Sequence, residues 1–328
     1  MNTLNRTLLY GLLIGAILLL GLASLSAGKI WVPWSAWLHA SNDPRWVIIF
    51  ELRLPRTLLA IAVGAALGIC GAALQGYTRN PLAEPSVLGV ASMAAFGAVM
   101  TLYLGVAATM PWVLPAGGMV GALIGTIVLL ALSGTSSSVL TFILAGVILN
   151  AVAAAGVSLA LSLAPSPWAV NEIVNWLMGS LADRSMDELR MALPFIIAGC
   201  VLLLTMRQTL DALTLGEIGA RSVGINLTLA RVILAVGMAL TVGASVAVTG
   251  VVSFVGLITP HLLRPLVGAR PGALLLPSAL GGAVLVLAGD ILVRLTPTAA
   301  EIKLGIAMSA LGGPFFLALL VVHRRRIA

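Results

Sequence analysis

The sequence predicts an all-α integral membrane protein, and three observations carry that prediction. Hydrophobic residues make up 60% of the chain and charged residues 9%, where a soluble domain holds about 25% charged residues. Asp, Glu, Lys and Arg are absent from long segments: 7–28, 57–78, 85–171, 191–206, 232–263, 271–289 and 304–323. Within these segments the residues are apolar on every face instead of alternating, which excludes a transmembrane barrel.

Each segment can be divided into helices, because a spanning helix needs roughly 20 apolar residues. Segments 7–28, 57–78, 191–206, 271–289 and 304–323 provide one each. The stretch 85–171 has room for about three, broken near Pro111–Pro115 and Ser133–Ser138. The stretch 232–263 holds two short ones, broken near Gly250–Ser253. The sum is about ten transmembrane helices in a single domain covering 1–328. The first segment reads as an uncleaved helix, its apolar run being longer than that of a signal peptide. An even count puts both termini on one side, and Arg6 with Arg324, Arg325 and Arg326 assigns that side to the cytoplasm. The 35 glycines suit close helix–helix approach in lipid. The pattern Ala60-x-x-Val63-Gly64-Ala65, then Gly71, returns as Ala239-x-x-Val242-Gly243-Ala244, then Gly250. This echo predicts an internal repeat of two related halves, a common plan for transport pathways.

The chemistry that is missing narrows the function. No G-x-x-x-x-G-K-[ST] loop exists to cradle nucleotide phosphates. His39, His261 and His323 lie far apart, and Cys70 and Cys200 sit inside apolar segments, so no metal centre, cofactor site, disulfide framework or catalytic constellation is expected. The net charge of +7 is spread over loops on both faces, which favours lipid headgroups over nucleic acid. The acids stand at helix ends or in loops. Asp290, four residues before Arg294, is placed to pair with it on one helix face. An ion-coupled carrier needs ionisable groups near the bilayer centre. If this chain moves a solute uphill, its energy is expected from a partner.

The loop 207–231 is where such a partner could act. Glu217 and Arg221, four apart, favour a helical turn, and Gly224 is a natural helix stop. Leu213, Leu215, Ile218 and Val223 supply apolar knobs. Sequence physics alone fits a docking helix and a solvated connector equally well.

Four blocks together resemble the permease subunits of ATP-binding-cassette importers for iron chelates (siderophore or haem) and cobalamin. They are Leu52–Gly89, Leu213–Gly224, Ser253–Arg264, and Glu301–Gly305 continuing through Leu311–Phe316. Glu217-x-x-Ala220-x-x-x-Gly224 resembles the short cytoplasmic helix that such permeases dock into their ATPases. Gly312-Gly313-Pro314, where the family more usually has Gly-Ala-Pro, and Thr259 before Pro260 are mild departures.

The resemblance implies a transport subunit of the inner membrane, not an enzyme. It implies two permease subunits on two ATPases, with a periplasmic binding protein delivering the chelate, an iron chelate first and cobalamin as the alternative. The permease pair could be two copies of this chain or this chain with a sister permease. ATPase coupling would fall to Leu213, Leu215, Glu217, Ala220, Arg221 and Gly224. Arg53, Arg56 and Arg294, at expected outer helix ends, would meet acidic residues of the binding protein, with headgroup anchoring as the alternative. Asn80, Pro81 and Leu82 resemble the inner gate, or form a plain helix–helix turn. Asn150, a lone amide in an apolar helix, would touch solute or bridge two helices.

Overall fold

The computed structural model describes residues 6–28, 32, 45–134, 138–268, 270–297 and 300–327, side chains excepted at 45 and 319–327. His39, the side chains of Arg324–Arg326 and part of the 133–138 break lie outside the described residues. The described residues form helices α1 (Arg6–Ser26), α2 (Ile48–Thr78), α3 (Val90–Tyr103), α4 (Val113–Ser133), α5 (Val139–Ser162), α6 (Pro167–Leu177) and α7 (Met186–Thr205). They continue as α8 (Arg207–Leu213), α9 (Gly216–Ser222), α10 (Leu227–Thr249), α11 (Val255–Val267), α12 (Pro271–Leu295) and α13 (Leu304–Ile327).

Seven of these, α1, α2, α4, α5, α7, α10 and α12, are long and apolar enough to cross a bilayer. Three further apolar helices are shorter: Val90–Tyr103, Val255–Val267 and Leu304–Ala318. The uncharged stretch 85–171 thus contains a 14-residue helix and the first residues of the 11-residue α6 beside two long ones. The break expected at Gly250–Ser253 is real: α10 stops at Gly250, with φ at +71°, and α11 begins at Val255. The two echoing blocks lie on α2 and α10 in different settings. Gly71 is inside a helix, whereas Gly243 sits in a π turn and Gly250 ends its helix.

α2 is the centre of the bundle, buried over most of its length from Pro55 to Tyr77. Its main neighbour is α12, which runs antiparallel to it. Small residues make that approach possible: a Cβ on Gly68 would lie 2.0 Å from the Ser278 carbonyl oxygen, and one on Gly64 2.3 Å from that of Gly282. Backbone meets backbone there, as expected where lipid removes the hydrophobic drive between helices and close packing replaces it. α11 packs on the same helix, and its Pro260 removes the N–H that would serve the Gly256 carbonyl. The buried Gln75 of α2 faces that gap, its amide donating to the Gly256 and Leu257 carbonyls at 3.5 and 3.4 Å. α2 is about 45 Å long at 1.5 Å per residue, so its two ends present sites far apart across the bundle.

Candidate functional site

One end of α2 carries a cluster of charge. Arg56 donates to both carboxylate oxygens of Asp290 on α12, at 2.9 and 3.1 Å, and to both oxygens of Glu301. Arg294, one turn beyond Asp290, pairs with it at 3.0 Å as the four-residue spacing predicts. Asp290 is wholly buried, while the Glu301 side chain keeps 28% of its surface. The remaining donors of the cluster turn to the end of α1. Arg53 donates to the Leu25 and Ser26 carbonyls at 3.0 and 2.7 Å. Arg294 donates to the Ser24 carbonyl at 3.0 Å and the Ala27 carbonyl at 3.4 Å, and to the Ser24 hydroxyl. The Ser24 hydroxyl also meets that of Thr57 at 2.7 Å. A helix leaves its last carbonyls without intrahelical partners and carries about half a negative charge there. The two arginines therefore cap α1.

This arrangement adds burial to what the sequence indicates for Arg53, Arg56 and Arg294. They stand at helix ends as expected, but they are buried, at 7%, 8% and 6% exposure, and engaged inside the chain. The group on the rim is Glu301. Sequence reading took the arginines for surface charges because an arginine flanking an apolar run looks the same whether it faces water or a buried carboxylate 234 positions away.

The other end of the bundle carries a projecting knob. α8 and α9 meet at a turn in which Gly216 takes φ +84°. α9 ends in a Schellman motif: the Ile225 N–H reaches the Ala220 carbonyl and the Gly224 N–H that of Arg221, with Gly224 at φ +88°. The helical turn through Glu217 and Arg221 and the stop at Gly224 thus form as the spacing indicates. Leu215, Ile218 and Val223 are exposed at 64%, 85% and 58%. Leu213 and Ala220, expected to face a partner, are instead buried and anchor the knob to the bundle. Two carboxylates tie it further. Glu217 accepts the Val139 N–H at 3.3 Å, at the start of α5, and Asp211 accepts the Gly272 N–H at 2.8 Å, at the start of α12. Both serve N–H groups that a helix start leaves unpaired. The knob is therefore joined to the starts of two long helices.

The remaining candidates are local. Asn80 makes an Asx turn, its side-chain oxygen accepting the Leu82 N–H at 2.9 Å, after Arg79 ends α2 in the left-handed conformation. Asn80 is exposed and Leu82 half-buried. The Asn150 oxygen accepts the Ser92 hydroxyl and so bridges α5 to α3. Some residues were missed. Glu84 accepts the Phe254 N–H at 2.6 Å, before α11, and the buried Arg231 donates to the Gly134 carbonyl at 2.9 Å, after α4. Neither has a sequence signal, because each contact joins distant segments. Among the described residues no group of His, Cys, Asp and Glu could hold a metal ion.

A bundle of apolar helices, with its one wholly buried carboxylate among the described residues neutralised and an exposed knob at one end, defines a multi-pass membrane permease. The chain belongs to the FecCD transport family, permease subunits of ATP-binding-cassette importers, whose family model matches residues 16–322. It is 36% identical over 330 residues to the hemin transport system permease protein HmuU of Yersinia pestis, covering 97% of each chain. It is also 36% identical to the vitamin B12 import system permease protein BtuC of Klebsiella pneumoniae, covering 98% of this chain and 96% of that one. Among solved structures, a metal-chelate type ABC transporter in an inward-facing conformation is similar with a TM-score of 0.84 and 31% identity, over 96% of this chain and 99% of that one.

Proposed function

We propose that this chain is the inner-membrane subunit through which an ATP-driven importer takes up an iron chelate, a siderophore complex or haem. The observation that carries the reading is the α9 knob: Leu215, Ile218 and Val223 are exposed on an element that the buried Leu213 and Ala220 anchor to the bundle and that Glu217 and Asp211 tie to α5 and α12. A short helix with apolar side chains facing out and a rigid mount suits insertion into a groove of a partner. That partner would be an ATPase, one copy per permease subunit, on the cytoplasmic side where both termini would also lie. α5 leaves Val152, Ala155 and Leu159 exposed along one face, which suits a second permease subunit across a solute pathway. Asn80 and Leu82 would close the inner mouth. Asn150, already bonded to Ser92, would shape the pathway more than grip the solute.

At the opposite end a periplasmic binding protein would dock over the Arg56 cluster. Because Arg56 is engaged, an acidic residue of that protein would have to take the place of Glu301, the partly exposed member of the cluster. Cobalamin is the alternative cargo, favoured by the near-equal identity to a vitamin B12 permease. The test is reconstitution of this chain with its ATPase and binding protein in vesicles, followed by uptake of a ferric siderophore, haem and cobalamin in parallel. ATP-dependent uptake of a chelate and not of cobalamin supports the reading. Uptake by the chain alone refutes the coupled mechanism, and uptake of cobalamin alone reassigns the cargo.

A further inference from the structure

A cavity of about 360 Å³ opens at the knob end of the bundle, between the end of α2, the α8–α9 turn, the end of α11 and the start of α12. Three guanidiniums line it: Arg79, Arg264 and Arg270. Among the described residues none has a carboxylate partner. Arg264 donates to the Gln75 amide oxygen at 2.7 Å, a neutral partner that is itself buried and fixed on the Gly256 and Leu257 carbonyls, the first of them freed by Pro260. Arg79 and Arg270 are exposed and carry no side-chain hydrogen bond or ion pair among the described residues. No carboxylate lines the cavity, and the nearby Asp211 is engaged at the Gly272 N–H. The contrast with the other end is sharp, since there Arg56 and Arg294 have carboxylate partners. The floor is different in character: Ala72, Gly76, Pro271 and Leu274 present apolar surface beneath the charged rim.

We infer that this cavity binds the phosphate headgroup of an anionic phospholipid. Three uncompensated cations at the edge of a membrane bundle call for an anion, and basic pockets between transmembrane helices are suited to acidic headgroups. The apolar floor selects among anions. A phosphodiester with a glycerol backbone and acyl carbons fills both halves of the site, the phosphate between the guanidiniums and the carbons over Gly76 and Leu274. Free phosphate or a nucleotide uses only the rim. The lipid would also join α2, α11 and α12 at the point where the knob is mounted.

The test uses the full-length chain purified in a zwitterionic-free, neutral detergent and native mass spectrometry of lipid adducts. Phosphatidylglycerol and phosphatidylcholine of equal chain length are the probes. The double variant R79Q/R270Q removes two side chains that have no internal role, and R264Q removes the third. Each basic side chain near an anionic lipid contributes roughly fivefold, so the parent is expected to retain phosphatidylglycerol about 30-fold better than R79Q/R270Q does, with phosphatidylcholine unaffected. Equal retention by parent and both variants overturns the assignment. Inorganic phosphate, ATP or haem that displaces phosphatidylglycerol at or below the lipid's own concentration also overturns it, by showing that the rim serves a soluble anion.

Discussion

Replacing Asp290 by Asn tests the charge cluster most directly. Asn keeps the shape and one acceptor oxygen but removes the charge and places an amide donor against guanidinium donors. Asp290 is wholly buried and holds Arg56 at 2.8 Å and Arg294 at 3.0 Å, so no water can replace what is lost. Breaking a buried pair by removing one partner costs about 3–5 kcal/mol. In a chain of this length that corresponds to a fall of about 4–7 °C in the unfolding midpoint. The control is Glu301→Gln, whose side chain retains 28% exposure and is served by solvent. Its cost is about 1 kcal/mol or less, as for other partly exposed pairs. The assay is thermal unfolding of the purified protein followed by tryptophan fluorescence. Asp290→Asn in an Arg56→Gln background should cost less than the sum of the single changes, because the two share one interaction. A midpoint for Asp290→Asn equal to that of Glu301→Gln, or strict additivity in the cycle, would refute the buried-cluster argument.

Other outcomes follow from the same contacts. Ile218→Glu, at 85% exposure, should leave the unfolding midpoint unchanged while uptake by the reconstituted importer falls at least about tenfold, the loss expected for one apolar side chain placed in a groove; undiminished uptake would remove the knob from the mechanism. Gly224→Ala forces a side chain into φ +88° and should destabilise the end of α9 by about 1–2 kcal/mol, read as faster hydrogen exchange at Ile225. Gly68→Ala, whose Cβ would sit 2.0 Å from a backbone oxygen of α12, should lower stability by about 1–3 kcal/mol, and a neutral result would mean that α2 and α12 are not in backbone contact. Glu301→Gln, which removes the partly exposed carboxylate that a binding-protein acid would displace, should strengthen capture of the binding protein while leaving ATPase association intact, and unchanged or weaker capture would argue against docking at this end.

What the sequence made legible was local. Charge gaps located the apolar helices, the four-residue spacing of Asp290 and Arg294 became a pair on α12, and Gly224 became a helix end. Helix length was less legible, because the connections within 85–171 are as uncharged as the helices. A 14-residue helix there looks like part of a longer span. Burial of the arginines was not legible at all, since their partners lie 234 and 245 positions away. Leu213 was misread for a related reason. The left-handed Gly216 splits the loop into two helices that turn Leu213 inward and Leu215 outward, and no periodicity spans that corner.

The cap on α1 has a consequence for biogenesis. Few side chains of α1 are buried, namely Leu9, Ser24 and Ser26, and beside its packing on α12 the helix is held by Arg53 and Arg294. The second of these is separated from Ser24 by 270 residues. At a translation rate of about 5–20 residues per second, the first helix enters the bilayer roughly 15–55 s before its final fastener is synthesised. During that interval α1 is held by Arg53 but not yet by Arg294 or by packing on α12, and truncation of the nascent chain before α12 would leave it more open to extraction by membrane quality-control proteases.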